Sequence, residues 1–533
     1  MTWHEATTLA QLAQGPVVFR SKPLQIAVFL HAEAVHAVDN RCPHEGYPLS
    51  EGAVSDDGIL TCNWHNWKFQ LVDGNCLLGG DHVRAYPTEV RGDEVWVEVV
   101  QPSLDEVRQT VRGGLRTAFD DRDYGRMGRE IARLHYQGLD AREAVRWALD
   151  WAHDRLEYGT THAQAATSDW LDEWQAHAGD PALQLVCLTE AVDHLAHDAL
   201  RHPAYPYASP AAEPFTAEAF LEAIEAEQRE VAEALVARAL ADGVGWDTLH
   251  EPFARAALAH YNDFGHSAIY VTKVSPLIAQ LGAQVAPALL LPLTRSLAYS
   301  TREDLIPDFR DYAPALERMP PVDAPVDAQT DAVLDASELF GASVPEALDW
   351  VVGAAAGNDA CAIYDALLEA SARNLLHFDL AYQDHTDRPV SQSVGWLDFT
   401  HAVTLGYAVK EIATLLPDTW RPGLLQMACF VGRNRAYVDR DLDVSRWTVD
   451  DEPAFLTQVH GSILDHGFRD PIFSSHVLKT ARAVEAELPG ASDTCRATLL
   501  AALNRFLHSP FKEKHALRLA RQAMALVGRD FSG

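Results

Sequence analysis

The sequence predicts a small all-β domain followed by a large all-α domain of helical-bundle type. Three observations carry that expectation. The chain has 533 residues, more than one hydrophobic core normally serves. Its first part is broken into short β-branched and aromatic runs. Beyond Pro102 the apolar residues recur instead at helical spacing, in segments rich in Ala, Leu, Glu and Arg.

In chain order, PVVFR, LQIAVFL, AVHAVDN, GILTC, WKFQLV and DEVWVEVV read as strands. Turns such as Asp73-Gly74-Asn75 and Arg91-Gly92-Asp93 separate them. PSLDEVRQTVRGGL and AEAFLEAIEAEQREVAEALVARALA then read as amphipathic helices, and Ser or Thr caps and Gly or Pro stops recur to the end. The predicted domains are residues 1–101 and 102–533. The strip MPPVDAPVDAQTD, Met319 to Asp331, is Pro-rich and polar, and reads as a linker between helical halves 102–318 and 331–533. REAVRWALDWA and PEALDWVVGAA, one in each half, are too faintly alike to define a repeat.

The composition bounds the function. Charged residues make up 22% and hydrophobic ones 48%, as in a globular protein. A net charge of −33 argues against a nucleic-acid or anionic-membrane surface, since both require clustered Lys and Arg. Met1 to Ala10 lacks a basic segment followed by an apolar core, and no apolar run is long enough to span a bilayer. The seven cysteines are odd in number and scattered, which suits cytoplasmic thiols plus a metal site better than a disulfide frame.

The stretch CPHEGYPLSEGAVSDDGILTCNWH, Cys42 to His65, holds two Cys–His pairs: Cys42 with His44, and Cys62 with His65. Each pair has its own loop, so two loops can clamp one object from opposite sides. Thiolates on one iron and imidazoles on the other make a [2Fe–2S] cluster whose neutral His ligands raise its potential above that of an all-Cys cluster. The alternative is a Cys₂His₂ zinc site. Zinc fingers set Cys with Cys and His with His, whereas here each loop carries one of each. CPHEGYPLSEG, CNWHNWKF and LGGDHVRAYPTEVRGDEVWVEV together resemble the Rieske family. The resemblance implies a [2Fe–2S] cofactor bound by Cys42, His44, Cys62 and His65. Respiratory members carry an extra Cys near each loop, and these pair in a disulfide that supports a high potential. Tyr47 and Asn63 to Trp67 supply none, so the resemblance is to the ferredoxin and oxygenase branch, carriers of low to moderate potential. Cys76 lies outside the motif and reads as a buried small residue.

A one-electron relay fused to a helical body implies an electron acceptor in that body. In ring-hydroxylating Rieske oxygenases two His and one carboxylate hold iron, at roughly Asp-x₂-His-x₃₋₄-His. The nearest match is DHLAHDALRHP, with Asp193, His197 and His202. Its Asp spacing is off by one, and on a continuous helix the two His sit about 140° apart. The surroundings are also too uniformly helical for that family's α+β domain.

The chain has 24 His, and four of them fall in segments that resemble the questin oxidase-like family, helical enzymes linked to oxidative cleavage of anthraquinone-type polyketides. YGTTHAQAATSDWL offers His162. FGHSAIYVTK, followed by LTRSLAYS, offers His266. FTHAVTLGYAVKEI offers His401. SSHVLKTARAVEAE offers His476 and Lys479. Order and rough spacing agree across these segments, although the first has Ala163-Gln164 where Gly-Pro is usual. The resemblance implies one metal held by His162, His266, His401, His476 and Lys479. A protonated lysine cannot be a ligand, but some members are described with a carboxylated lysine at iron, and Lys479 is the matching position. The chemistry fits on its own terms: non-haem iron that activates O₂ takes neutral imidazoles and an open position. His476 and Lys479, three apart, share a helix face. His260 is a substitute ligand if Gly265 breaks the helix between it and His266. Asp398, Tyr261 and Thr404 are candidate neighbours that orient the ligands. His377, His385, His460 and His466 have no evident role.

The combined expectation is a cytoplasmic, NAD(P)H-dependent oxygenase with two metal centres. A reductase on another chain supplies the electrons, because no Gly-rich dinucleotide fingerprint is present. The Rieske cluster relays them to a mononuclear non-haem metal, iron in preference to manganese, and O₂ oxidises or cleaves an aromatic or quinone-like substrate. The ring-hydroxylating arrangement is one alternative. The other is an electron-transfer adaptor whose helical body has no active site.

Overall fold

The computed structural model describes residues 2–22, 24–100, 102–199, 203–322, 333–389 and 392–531. Most of the predicted linker Met319–Asp331 lies outside the described residues. The chain divides into two compact units, Met1–Ala141 and Arg142–Gly533.

The first unit holds three small antiparallel sheets. One joins β1 (Thr2–Thr8), β11 (Glu94–Val99) and β10 (Thr88–Arg91). A second runs β2 (Val17–Ser21), β3 (Leu24–His31), β4 (Ala34–Asp39) and β9 (Ala85–Tyr86). The third runs β5 (Ala53–Val54), β6 (Ile59–Thr61), β7 (Lys68–Gln70) and β8 (Cys76–Leu78). The two polar strands β1 and β10 lack the alternation that would predict them. They form because each lies against β11, with pairs such as Thr2 to Val99 and Thr88 to Val97. One apolar cluster (Leu49, Leu60, Phe69, Leu71, Val83) encloses Cys42 and Cys62 and seats the loops that carry them.

The first unit continues past the predicted boundary at residue 101. Secondary structure does change there: Ser103 caps α1 (Leu104–Asp121), exchanging hydrogen bonds with Glu106 in a capping box. Yet α1 and the following α2 (Tyr124–Tyr136) belong with the sheets. Ion pairs help tie α2 to the sheet region. Buried Asp81, between β8 and β9, is paired with Arg126 (2.5 Å) and Arg129 (2.9 Å) of α2.

The second unit is helical and spans both predicted halves. Four of its helices form a closed ring: α3 (His162–Ala176) packs on α5 (His266–Leu281), α5 on α6 (Trp396–Leu415), α6 on α7 (Pro471–Glu487), and α7 on α3. Helix α4 (Pro181–Ala199) covers α3 and α7. Helix α6 is buried nearly all round, from Phe399 to Ala413, as a helix at the centre of a bundle must be. Because two ring helices come from each predicted half, neither half has its own complete ring.

Candidate metal centres

The loops 42–47 and 62–67 are built alike. The Cys42 N–H donates to the Tyr47 carbonyl (2.9 Å), and the Cys62 N–H to the Trp67 carbonyl (2.8 Å). Gly46 and Asn66 occupy equivalent left-handed positions, φ 77° and 62°, and their N–H groups return to the Cys42 and Cys62 carbonyls. Glycine takes that conformation freely, and asparagine is among the residues that tolerate it. The hairpins thus turn tightly and drive both Cys inward, where they are 3% and 1% exposed. Burial, with the Cys62 thiol beside it, pushes the Cys42 thiol up to about 11, against the opposing pull of the His44 backbone N–H. His44 and His65 point the same ring nitrogen at each other, Nδ1 to Nδ1 at 3.0 Å. Trp67 stacks on His44 (4.9 Å between centroids, 18° between planes). Trp64 stacks on Tyr47 and donates its indole N–H to Glu45. Two adjacent buried thiols and two converging imidazole nitrogens fit a cluster that takes two S⁻ and two N ligands. All seven cysteines are free, and Cys76 is half-buried rather than sealed in the core.

The second constellation lies inside the ring of helices. His162 is the first residue of α3, placed by a capping box in which Thr161 and Gln164 bond reciprocally. His266 is the first residue of α5, and follows three consecutive left-handed residues, Asp263 (φ 45°), Phe264 (φ 53°) and Gly265 (φ 85°). His401 sits one turn into α6, and His476 in the first half of α7. Their Nε2 atoms meet: His266 to His162 at 3.1 Å, His162 to His401 at 3.3 Å, and His401 to His476 at 3.2 Å. Nitrogens about 2.1 Å from a shared metal stand about 3.0–3.4 Å from one another, so the spacing fits a common ion. Two of the opposite nitrogens are spoken for. His266 Nδ1 bonds the Asp263 carbonyl, and His476 Nδ1 bonds the Ile472 carbonyl at 2.7 Å. These two rings therefore keep Nε2 as their acceptor, facing inward.

The electrostatics agree. Burial first, then the Lys479 charge, holds His162, His401 and His476 well below the usual imidazole range, which favours their neutral form. Lys479 is 5% exposed, and burial lowers it to about 7, with Lys273 adding to the fall and Asp169 opposing it. Asp169 is already paired with Lys273 at 2.7 Å. A cavity of about 390 Å³ opens on His162, lined also by Tyr158, Thr160, His194, His197 and Asp198.

Other candidates go elsewhere. His260, the proposed substitute, is not in the ring: its two nitrogens bond Glu303 (2.8 Å) and Glu225 (2.9 Å). Asp398 caps α6 through the Gly395 N–H, Thr404 bonds carbonyls of its own helix, and Tyr261 packs edge-on to Phe309 and Phe430. None of these three bonds a ring nitrogen of the cluster. Of the ring-hydroxylating set, His197 bonds Asp198 (3.1 Å) and His202 lies outside the described residues. His377 bonds the Asp439 carbonyl, His385 packs on Tyr382, and His460 and His466 pair with Glu173 and Glu190. The sequence reading missed His194, buried against Ser475 (2.8 Å) beside His476. Nothing local distinguishes it from the neighbouring His197.

The two-loop geometry has a match among known families. The family description "Rieske [2Fe-2S] domain" matches residues 2–87, so the chain carries an N-terminal Rieske domain. Its relatives include a 4beta-methylsterol monooxygenase of Methylococcus capsulatus, 35% identical over 91 residues, which are 15% of this chain and 24% of that protein. The ferredoxin component of an alkene monooxygenase system of Xanthobacter autotrophicus is 30% identical over 74 residues, 14% of this chain and 61% of that protein. The 3-phenylpropionate/cinnamic acid dioxygenase ferredoxin subunit of Escherichia coli is 28% identical over 96 residues, 18% and 91% of the two chains. Among solved structures, the ferredoxin of carbazole 1,9a-dioxygenase from Nocardioides aromaticivorans is 28% identical and covers 19% of this chain and 100% of its own, with a TM-score of 0.18. No described helix is long and apolar enough to cross a membrane.

Proposed function

We propose that this chain is an oxygenase with two metal centres: electrons enter at the Rieske domain and are used at the histidine ring of the helical unit. The observation that carries the reading is the meeting of four imidazole Nε2 atoms, from four helices, in one buried place. Helical bundles build metal sites in this way, from inward-facing side chains. Cys42, Cys62, His44 and His65 would hold the [2Fe–2S] cluster, which supplies one-electron transfer when bound. His162, His266, His401 and His476 would hold a mononuclear non-haem iron, which supplies activation of O₂ when bound.

The protein's own groups do the rest. The Asp263 and Ile472 carbonyls fix two imidazoles in the tautomer that leaves Nε2 free. The charge of Lys479 acts on the ring imidazoles, and Asp169, the acid that opposes the fall of the lysine, is paired with Lys273. Its free amine can add to CO₂ and lose a proton, giving a carbamate that could complete the ligand set. The cavity beside His162 gives a planar aromatic or quinone-like substrate a place next to the ring. The electrons would come from NAD(P)H through a separate reductase, as befits a Rieske domain related to ferredoxin components.

Nitric oxide, a surrogate for O₂, tests the reading. Added to the anaerobic, reduced full-length protein, it should give the EPR signal of a high-spin iron nitrosyl. His401→Ala should lose that signal and keep the Rieske signal. A wild-type protein without the nitrosyl, or a variant that retains it, would overturn the proposal.

A further inference from the structure

The structure assigns α2 a role at the cluster: we propose that Asp81 and its arginines form a latch that holds Trp67 against His44. The inference rests on the cluster reading of Cys42, His44, Cys62 and His65, and concerns residues outside that set.

The chain of contacts runs within the first unit. Asp81 is 3% exposed, and a buried carboxylate is costly unless paired and hydrogen-bonded. Here it accepts a hydrogen bond from Arg129 Nε at 2.9 Å and is ion-paired with Arg126 Nε at 2.5 Å and Arg133 at 3.8 Å, all from one face of α2. Asp123 caps that helix through the Arg126 N–H (3.0 Å), which fixes its first turn and hence the Arg126 side chain. Helix α2 is itself pinned to α1: a Cβ on Gly114 would fall 2.3 Å from the Glu130 carboxylate.

On the other side of Asp81, the chain passes through Gly79 and Gly80 directly beneath Trp67. A Cβ on Gly79 would lie 2.4 Å from the indole, and its φ of 138° already favours glycine. Trp67 is therefore held between the glycine loop and the His44 ring on which it stacks. His82, next to Asp81, accepts the Cys76 N–H (2.9 Å) and ties the loop to the end of β8. The order of support is α2, Asp81, Gly79–Gly80, Trp67, His44. Pulling Asp81 free releases the loop, and with it the wall that fixes one imidazole. Asp81 and Trp67 are positioning residues.

The full-length holoprotein tests the latch. Asp81→Asn keeps the shape and removes the charge that holds the arginines. The readouts are the g-values of the reduced cluster, its midpoint potential, and the rate at which the visible absorption is lost in air. Groups that orient a metal ligand typically matter about 10- to 100-fold. Asp81→Asn should therefore bleach at least about tenfold faster, with shifted g-values and potential. Trp67→Leu should do the same, and Trp67→Phe, which restores a stacking ring, should return towards wild type. If Asp81→Asn fails to fold, the Trp67 pair decides alone. Unchanged bleaching and g-values in Asp81→Asn, or Trp67→Phe no better than Trp67→Leu, would overturn the latch. A wild-type protein without a Rieske signal would instead overturn the cluster reading on which it rests.

Discussion

Single side chains at the two centres have separable consequences. Cys42→Ser or His65→Ala removes one donor from a cluster that needs all four, so the visible spectrum should vanish. The helical CD signal should persist, because the second unit has its own core. Loss of both signals together would contradict that separation. A second residue-scale expectation concerns His460, which pairs with Glu173 on α3 at 2.8 Å. The close Glu173 carboxylate raises His460 above its usual value against the burial that would lower it. Burial would raise Glu173, but His460, with Arg482 and His177 beside it, holds the carboxyl low. The His460 contribution to stability is thus complete below its unfolded pKa of about 6.5, and is lost as pH rises through the higher folded value. The Glu173 contribution is present above about 4.3 and is lost as pH falls through its lower folded value. His460→Gln should flatten the fall in thermal stability above about pH 6.5. A variant whose pH profile matches wild type in that range would show that the pair adds nothing.

At the scale of the element, the decisive feature is the turn before α5. Three left-handed residues in a row cost backbone energy, and such strain persists where the surroundings over-determine it. Gly265 makes room as well as taking the conformation: a Cβ there would meet Leu405 of α6 at 2.9 Å, one turn beyond His401. Gly265→Ala should therefore separate α5 from α6, lower the unfolding temperature and weaken metal retention about tenfold. Metal analysis after dialysis against a chelator measures this, and retention equal to wild type would contradict the role given to the turn. The legibility of the sequence divides at this scale. The Cys–His loops could be read because their donors are close in sequence and their turns are set locally. The segments around His162, His266, His401 and His476 could be placed in order by resemblance, but their convergence depends on helix packing that no local pattern encodes. The latch of α2 was invisible for the same reason: Asp81 finds Arg126 only in the folded unit. Strand β1 was missed because TWHEATT has no apolar face of its own and forms by pairing with β11. His260 was readable only as a substitute for His266, and Glu225 and Glu303 take both its nitrogens.

For the whole molecule, the texture change at Pro102 predicted the switch from sheet to helix but not the compact boundary at Ala141, before which Arg126 and Arg129 of α2 pair with Asp81. The two predicted helical halves merge into one unit because the histidine ring draws on both. That merger bears on function. A scaffold for electron transfer has no need to bring four imidazole nitrogens together inside a ring of helices, whereas the proposed metal that uses electrons does. Metal content per chain separates these two molecules most directly. Anaerobically purified full-length protein should hold two irons in the cluster and one further metal, and His401→Ala or His476→Ala should keep the first two and lose the third. Two irons in the wild type under conditions that fill the cluster, or a third metal that survives both substitutions, would contradict the second centre.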